Sequence, residues 1–542
     1  MRTLVSGTTD PTATTTLSGS AGNGGSDDVV LEGRSIMPRW APSWAPRAAV
    51  VAVVAVGIAL RLYNRSNLWL DEALSVNIAE LPLSDLLDAL RHDGHPPLYY
   101  LLLHYWIELF GSGDVAVRLL SAVFGIAALP LAWVAGGRLA GRPGARWALV
   151  VVALSPYCIR YSTETRMYSM VMFLVLAGYL LLTDALRRPT VARLAGVAVL
   201  SGLLLLTHYW AFWLLGGVGL LLMARWWRNR DERRTTASVI VAVAAGGVLF
   251  LPWLGGFLYQ AENTGTPWGN PWRPTAIVQA TALDMAGGSN FSEAALGAFG
   301  FVVLCLLALF VVRSSGHQMV LDMRTAPTVR LELGIVVVTL AIGAVTAYAT
   351  NATYQSRYAA VVVPFVLLAT AVGITRMPGM ARLLTGIGFA GLCAFGIGWV
   401  EYFERTQSAP VGAAVAEHAE PGDVVVYCPD QLGPAYSREM PDGLDQMSYP
   451  ALTSPERVDW VDYEARNESA DTAQIAEEIR DRAAGNAVFV VWAGGYQTFG
   501  TQCENLLHQL SQGTGEPAQP LVSADIGVFY EPAHLFWFPA TS

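Results

Sequence analysis

Lysine is absent from this chain of 542 residues, and all 34 basic side chains are arginine. Charge of either sign is scarce. Asp, Glu and Arg together make up 14% of the residues, against roughly a quarter in a soluble domain. That deficit excludes a wholly soluble enzyme and a disordered protein. Cysteine is rare too: the five present exclude a disulfide-rich secreted module. No CxxC pair or His/Cys cluster suggests zinc. Positive charge is not in excess, since the net charge is −9, so nothing favours nucleic acid as a partner. Without lysine, an anionic ligand must be held by Arg, His, Tyr or backbone N–H. Arginine offers a fixed planar fork suited to phosphate.

What is present is apolar: 53% of the residues. Runs occur near 48–63, 96–111, 115–137, 146–162, 167–185, 191–207, 209–225, 237–258, 292–312, 331–350, 358–375 and 382–401. A bilayer-spanning helix needs about 20 such residues, so the chain reads as a polytopic α-helical membrane protein. Arginines collect at 138–146, 187–193, 225–234, 313–330 and 376–382. The positive-inside rule places these loops in the cytoplasm. Only one crossing then fits between residue 65 and Arg138. The run 96–111, which opens on Pro96-Pro97 and carries His104 and Glu108, is read as a short interfacial helix. Eleven spans result, with 12 as the alternative.

Residues 1–46 are rich in Ser, Thr, Gly and Ala and are expected to form a disordered cytoplasmic tail. Residues 47–402 form the membrane domain. From 403 to 542 acidic residues return, with strand-like runs at 423–427 and 487–492 and amphipathic helices at 471–484 and 503–511. This is a small α/β domain, extracytoplasmic by span parity. Cys428 and Cys503 both fall in it and are a candidate disulfide, whereas Cys158, Cys305 and Cys393 lie in apolar runs.

Groups able to do chemistry gather on the outer side. Leu70-Asp71-Glu72 follows the first span; Asp71 suits a base or, equally, a helix N-cap. His92-Asp93-Gly94-His95-Pro96-Pro97-Leu98-Tyr99-Tyr100 offers imidazoles and phenols at the membrane surface. Arg160-Tyr161-Ser162-Thr163-Glu164-Thr165-Arg166-Met167-Tyr168 sits between two apolar runs, where unpaired charge is expensive. His208 interrupts another run, and Arg357-Tyr358 opens a later one. The loop 259–290, with Trp268, Pro271, Trp272 and Pro274, reads either as a lid or as an interfacial aromatic belt.

The ordered set Leu70-Asp71-Glu72, His95-Pro96-Pro97-Leu98-Tyr99-Tyr100, Val117-Arg118-Leu119-Leu120-Ser121-Ala122, Tyr161 to Tyr168 and Ser356-Arg357-Tyr358 with Pro364 resembles the GT-C membrane glycosyltransferases. It is most similar to the branch of protein O-mannosyltransferases and the lipid A aminoarabinose transferase, glycosyltransferase family 39-like. The resemblance implies a polyprenyl-phosphate sugar donor and inverting transfer on the outer face. Mannose or arabinose is the expected sugar; the acceptor is a hydroxyl of a glycan, lipid or protein. Asp71 would be the base, Glu72 its neighbour and Glu164 the second acidic position. His92, His95, Tyr99, Arg160, Arg166, Tyr168, His208, Arg357 and Tyr358 would bind substrate. His95 and His208 stand where lysine is frequent in the family, which shifts phosphate binding towards Arg166 and Arg357. A departing phosphate needs no strong acid, so one base suffices. No cofactor is then required; the alternative is a divalent cation on Asp71 and Glu164. The expected site is a multi-pass protein of the plasma membrane in contact with membrane lipid. The rival readings are a transporter or flippase for a lipid-linked sugar, and a non-catalytic glycan-binding membrane protein.

Overall fold

The computed structural model describes residues 45–540, except 266–268, 270–271, 289–291, 316–317, 351 and 515–516. The tail expected up to residue 46 thus lies outside the described residues as far as 44, as do Trp268 and Pro271. Helix α1 (Ala45–Arg61) opens the membrane part. Its last residue, Arg61, is buried and donates to the carbonyls of Val152 and Ala153 at 2.7 and 2.9 Å. Those carbonyls end another helix and have no partner within it, so the arginine is a cap rather than a ligand group.

Three short helices follow: α2 (Leu70–Ala79) and α3 (Leu83–Asp93), where a loop was expected, and α4 (Leu98–Phe110), where a short helix was. Helix α5 (Asp114–Ala153) is broken at Ala140 and Gly141, where φ is −143° and 60°. Only the glycine takes the left-handed value without strain. Beside the break Arg138 pairs with Asp184 at 3.0 Å. Then come α6 (Pro156–Ser162), α7 (Tyr168–Arg187), α8 (Val191–Thr207) and α9 (Trp210–Arg228).

Six helices among the described residues are long and apolar enough to cross a membrane: α5, α7, α9, Arg230–Asn263, Pro327–Ala349 and Gly379–Tyr402. The shorter apolar helices are α8, Ala294–Phe310 and Val363–Arg376. Helix α1 and these shorter helices fall on further apolar runs from which the eleven passages were read, and six helices of the whole set are long enough to cross. Helix α4, at 13 residues, is the short element expected there. The stretch between 259 and 290 is no simple loop, because Pro274–Met285 is helical.

The strands β1 (Val311–Ser315) and β2 (Gln318–Leu321) form a hairpin between two bundle helices. Beyond the last membrane helix come β3 (Glu404–Thr406), β4 (Val424–Cys428), β5 (Asp445–Ser448), β6 (Val488–Trp492), β7 (Gln519–Val522), β8 (Phe529–Glu531) and β9 (His534–Phe538). Five of them form one sheet in the order β5-β4-β6-β9-β7, while β3 and β8 pair as a separate parallel ribbon. Strands β4 and β6 match the runs seen in the sequence. Helix Thr472–Ala483 begins where Asp471 accepts from the amides of Ala473 and Gln474 at 3.0 and 3.2 Å. Cys428 and Cys503 are disulfide-bonded.

Bundle packing rests on small residues. A Cβ placed on Gly373 would lie 2.0 Å from the Leu304 carbonyl oxygen on helix Ala294–Phe310. Close backbone approach of this kind is a common way for membrane helices to associate. Gly373→Ala should therefore cost about 1–3 kcal/mol, read as a lower thermal midpoint in detergent. Gly178, on α7, meets nothing within 4 Å, so Gly178→Ala should leave the midpoint unchanged or slightly raised. Equal midpoints for the two variants would refute the packing argument.

Candidate active site

Consecutive helix positions are turned by about 100°, so the adjacent carboxylates at the start of α2 point to different places. Glu72 points inward and is fully buried. It accepts from Arg118 Nε at 2.8 Å and Nη2 at 2.6 Å, and from the Thr165 amide at 2.8 Å. Arg405, just past the last membrane helix, adds an ion pair at 3.2 Å. Burial by itself would raise this carboxyl, but Arg118 and Arg405 together hold it down at about 2. Glu72 lines neither of the two large cavities described below. The resemblance placed it beside the base; the structure makes it part of the frame.

Asp71 points outward into a cavity of about 490 Å³. Its carboxylate meets Arg357 Nη1 at 2.5 Å. Arg166 stands nearby, and its Nη1 donates to Ser75 Oγ at 2.9 Å and to the Asp71 carbonyl at 3.3 Å. Its Nη2 lies 2.8 Å from His95 Nε2, while His95 Nδ1 lies 2.8 Å from Asp93 Oδ2. Guanidinium can only donate, so Nε2 must accept and the proton sits on Nδ1. His95 is therefore a link between Asp93 and Arg166. Tyr100 also donates to Asp93, at 2.8 Å. Positive charge in this cavity comes from Arg166 and Arg357.

A second cavity, of about 400 Å³, adjoins the first, and Trp69, Gln355, Arg357 and Tyr530 line both. Glu164 and Arg160 line this one. Glu164 is buried at the corner between α6 and α7, and its Oε1 has no hydrogen-bond partner. Arg160 reaches Asp284 at 3.3 Å, and Tyr161 donates to the same carboxylate at 2.9 Å. The pair suggested for a cation, Asp71 and Glu164, is thus divided between two cavities. Among the described residues no three His, Cys, Asp or Glu side chains stand together so as to hold a metal ion, and no step below is routed through one.

Three expected substrate contacts, and Trp272 of the lid or belt segment, are placed as follows. His92 pairs with Asp459 of the C-terminal domain at 2.9 Å and lines neither cavity. Tyr99 is buried against Ser121 at 3.0 Å. His208 accepts from the Trp210 amide at 3.1 Å and packs against the rings of Tyr168 and Tyr358 at 5.7 and 5.4 Å. It backs the two tyrosines that line the Asp71 cavity. Trp272 lines the smaller cavity.

Several residues that the sequence reading did not single out join the site. Asp284 is a lone carboxylate in an apolar helix, a signal of the same kind as Glu164. Arg405 binds the Thr163 carbonyl and hydroxyl, both at 2.8 Å. Glu531 accepts from the Leu70 amide at 3.3 Å and lines the Asp71 cavity with Tyr496 and Gln431.

The arrangement is that of a membrane bundle crowned by a polar two-chambered site, and its fold is that of GT-C glycosyltransferases. Over residues 94–255 the sequence matches the family described as dolichyl-phosphate-mannose-protein mannosyltransferase. No curated protein sequence matches the chain. ArnT from Cupriavidus metallidurans in the apo state superposes with a TM-score of 0.58 at 12% identity, covering 91% of this chain and 98% of that one. The same protein bound to undecaprenyl phosphate gives 0.56 at 12% identity, covering 92% and 98%. The Archaeoglobus fulgidus oligosaccharyltransferase gives 0.49 at 12% identity, covering 81% and 67%. At such identities the likeness to ArnT is one of fold.

Removing one partner of a buried pair strands the other. Arg118→Ala should cost about 3–5 kcal/mol, read as a fall in thermal midpoint. Because the folded carboxyl of Glu72 lies below its ordinary 4.5, its stabilisation is full above that pH and is lost as pH falls towards about 2. An Arg118→Ala midpoint equal to wild type would show that Glu72 does not anchor the site.

Proposed function

We propose that the protein is an integral membrane glycosyltransferase. It moves a sugar, mannose or arabinose first among the candidates, from a polyprenyl phosphate to an acceptor hydroxyl. The observation that carries this reading is Asp71, held by Arg357 at 2.5 Å in a cavity that Arg166 also lines, above an apolar bundle. A carboxylate and two permanent cations in one chamber match a reaction that needs a base and a seat for phosphate. ArnT, with the same fold, binds undecaprenyl phosphate, which supports this donor class.

The chemistry follows from the groups in place. Arg357 and Arg166 bind the donor phosphate, and the isoprenoid tail lies along the bundle. Engagement of Arg357 by phosphate loosens its hold on Asp71. The acceptor oxygen attacks the anomeric carbon opposite the phosphate, so the configuration inverts. Its proton passes to Asp71 as the carbon–oxygen bond to phosphate breaks. The electron pair leaves with the polyprenyl phosphate, and the two arginines stabilise the added charge. His95 orients Arg166. Glu72 holds Asp71 in position, and Glu164 belongs to the adjoining chamber.

Orientation follows from the arginine loops: the N-terminus is cytoplasmic, while the site and the C-terminal domain are extracytoplasmic, in the plasma membrane. With purified protein and a panel of polyprenyl-phosphate sugars, release of polyprenyl phosphate should be seen with one donor. Asp71→Asn should lower that turnover by about 10²–10⁴-fold while folding normally. Wild-type turnover in Asp71→Asn would remove it as the base. In intact cells, a cysteine replacing exposed Asp481 should react with an impermeant maleimide. Labelling only after permeabilisation would reverse the orientation.

A further inference from the structure

In the C-terminal sheet, β4 pairs in parallel with β5 on one side and β6 on the other. The chain leaves β4, goes to β5, and then crosses to β6 on the opposite flank. The connections diverge between β4 and β6. In open parallel sheets, ligands bind in the crevice that forms at the carboxyl ends of such a strand pair. Here that crevice does not open on bulk water. Gln431, just after β4, and Gly494, Gly495 and Tyr496, just after β6, line the cavity that holds Asp71. Strand β8 brings Tyr530 and Glu531 to the same wall.

The two walls differ in chemistry. Among the described residues, the cavity's cationic side chains, Arg166 and Arg357, come from the membrane part. The wall from the C-terminal domain contributes amide, phenol, glycine backbone and one carboxyl group. We propose that this strand-end crevice is a carbohydrate subsite, that it takes a neutral glycan, and that it presents a glycan hydroxyl to Asp71 as the acceptor. The acceptor role rests on the transferase reading above; the binding of the glycan does not.

Three observations support the choice of ligand. Tyr530 packs edge-on against Trp69 at 5.4 Å, and flat apolar rings beside polar groups suit the faces and edges of a sugar. Trp69 and Tyr168 line this cavity, and the buried Trp69 Nε1 and Tyr168 hydroxyl have no hydrogen-bond partner. They are donors for ligand oxygens. Burial pushes the Glu531 carboxyl up to about 8, with Asp71 adding to the rise, so it is protonated at neutral pH and donates rather than repels. A phosphorylated or acidic acceptor would find no cation on this wall.

The test uses full-length protein in detergent on an array of neutral oligosaccharides, their phosphorylated counterparts and unmodified peptides. Farnesyl phosphate binding is measured in parallel by calorimetry. Gly494 lines the crevice, and a Cβ there would meet nothing nearer than the Trp492 ring at 3.5 Å, so Gly494→Leu adds bulk at this wall, with its thermal midpoint measured beside that of wild type as the control for folding. Wild type should retain neutral glycans. Gly494→Leu and Tyr496→Ala should each weaken that retention by at least about tenfold, with farnesyl phosphate still bound. Retention of only phosphorylated glycans or peptides would overturn the proposal, as would no retention at all. Undiminished retention in both variants, or loss of farnesyl phosphate together with glycan, would equally count against it. Glycan retention without donor turnover would leave the subsite standing and sink the transferase reading. Donor turnover without glycan retention would do the reverse.

Discussion

One buried glutamate sets the geometry of everything above the bundle. Glu72 draws together α2, α5, the corner between α6 and α7, and the start of the C-terminal region, through Arg118, the Thr165 amide and Arg405. Set against an apolar replacement, such a pair adds little net stability. Its effect is on position. With Glu72 fixed, the next carboxylate along the helix has one direction left, into the cavity. The same knot fixes Arg405 against Thr163, so the polypeptide leaving the membrane begins its β3–β8 ribbon at a defined point. Asp71 and Glu531, 460 positions apart in the numbering, then border the same cavity because one charge is satisfied on all sides.

The absence of lysine has a structural counterpart. Each cation at the site is an arginine, permanently charged and capable of several directed hydrogen bonds. Arg166 uses both terminal nitrogens, touching Ser75, Tyr100 and His95 at once. A histidine in the place of a lysine suggests a weaker, pH-sensitive charge. In the structure His95 sits between the Arg166 guanidinium and the Asp93 carboxylate and ties the two together. His208 likewise accepts a backbone hydrogen bond and serves as backing for two tyrosines. These substitutions leave the electrostatics to Arg166 and Arg357.

Much of this was legible in the sequence for a physical reason. Apolar length, arginine sidedness and the expense of charge in a membrane all act locally, so the bundle, the short α4 and the outer clusters around Asp71, His95, Arg166 and Arg357 could be read directly. Within the α/β domain, strands β4 and β6 announced themselves as fully apolar runs. What could not be read was partnership. Nothing local separates Asp71 from Glu72, or tells that Arg118 would take one and Arg357 the other. His92 and Tyr99 look like ligand groups in the same motif as His95, yet one pairs with Asp459 and the other with Ser121. Asp284, Arg405 and Glu531 lie far along the chain from the motif residues they join. Strand β8, three residues long, gives too short a pattern to register.

The division of the site into two chambers is the last consequence of these long-range pairings. Arg357 stands on both chambers and crosses the Trp69 ring at 5.6 Å, and Tyr530 meets the same ring from the other domain. The partition is therefore built jointly: its aromatic centre comes from the segment between α1 and α2, its cation from the approach to a late membrane helix, and its cap from β8. A bundle alone would leave the Asp71 chamber without a ceiling. The sheet alone would leave its strand-end crevice without charge. Their junction gives a cavity in which the cations and the carboxylates of Asp71 and Asp93 come from the membrane side and face a largely neutral wall, an asymmetry that suits the proposed pair of ligands, one held by its phosphate and the other by its hydroxyls.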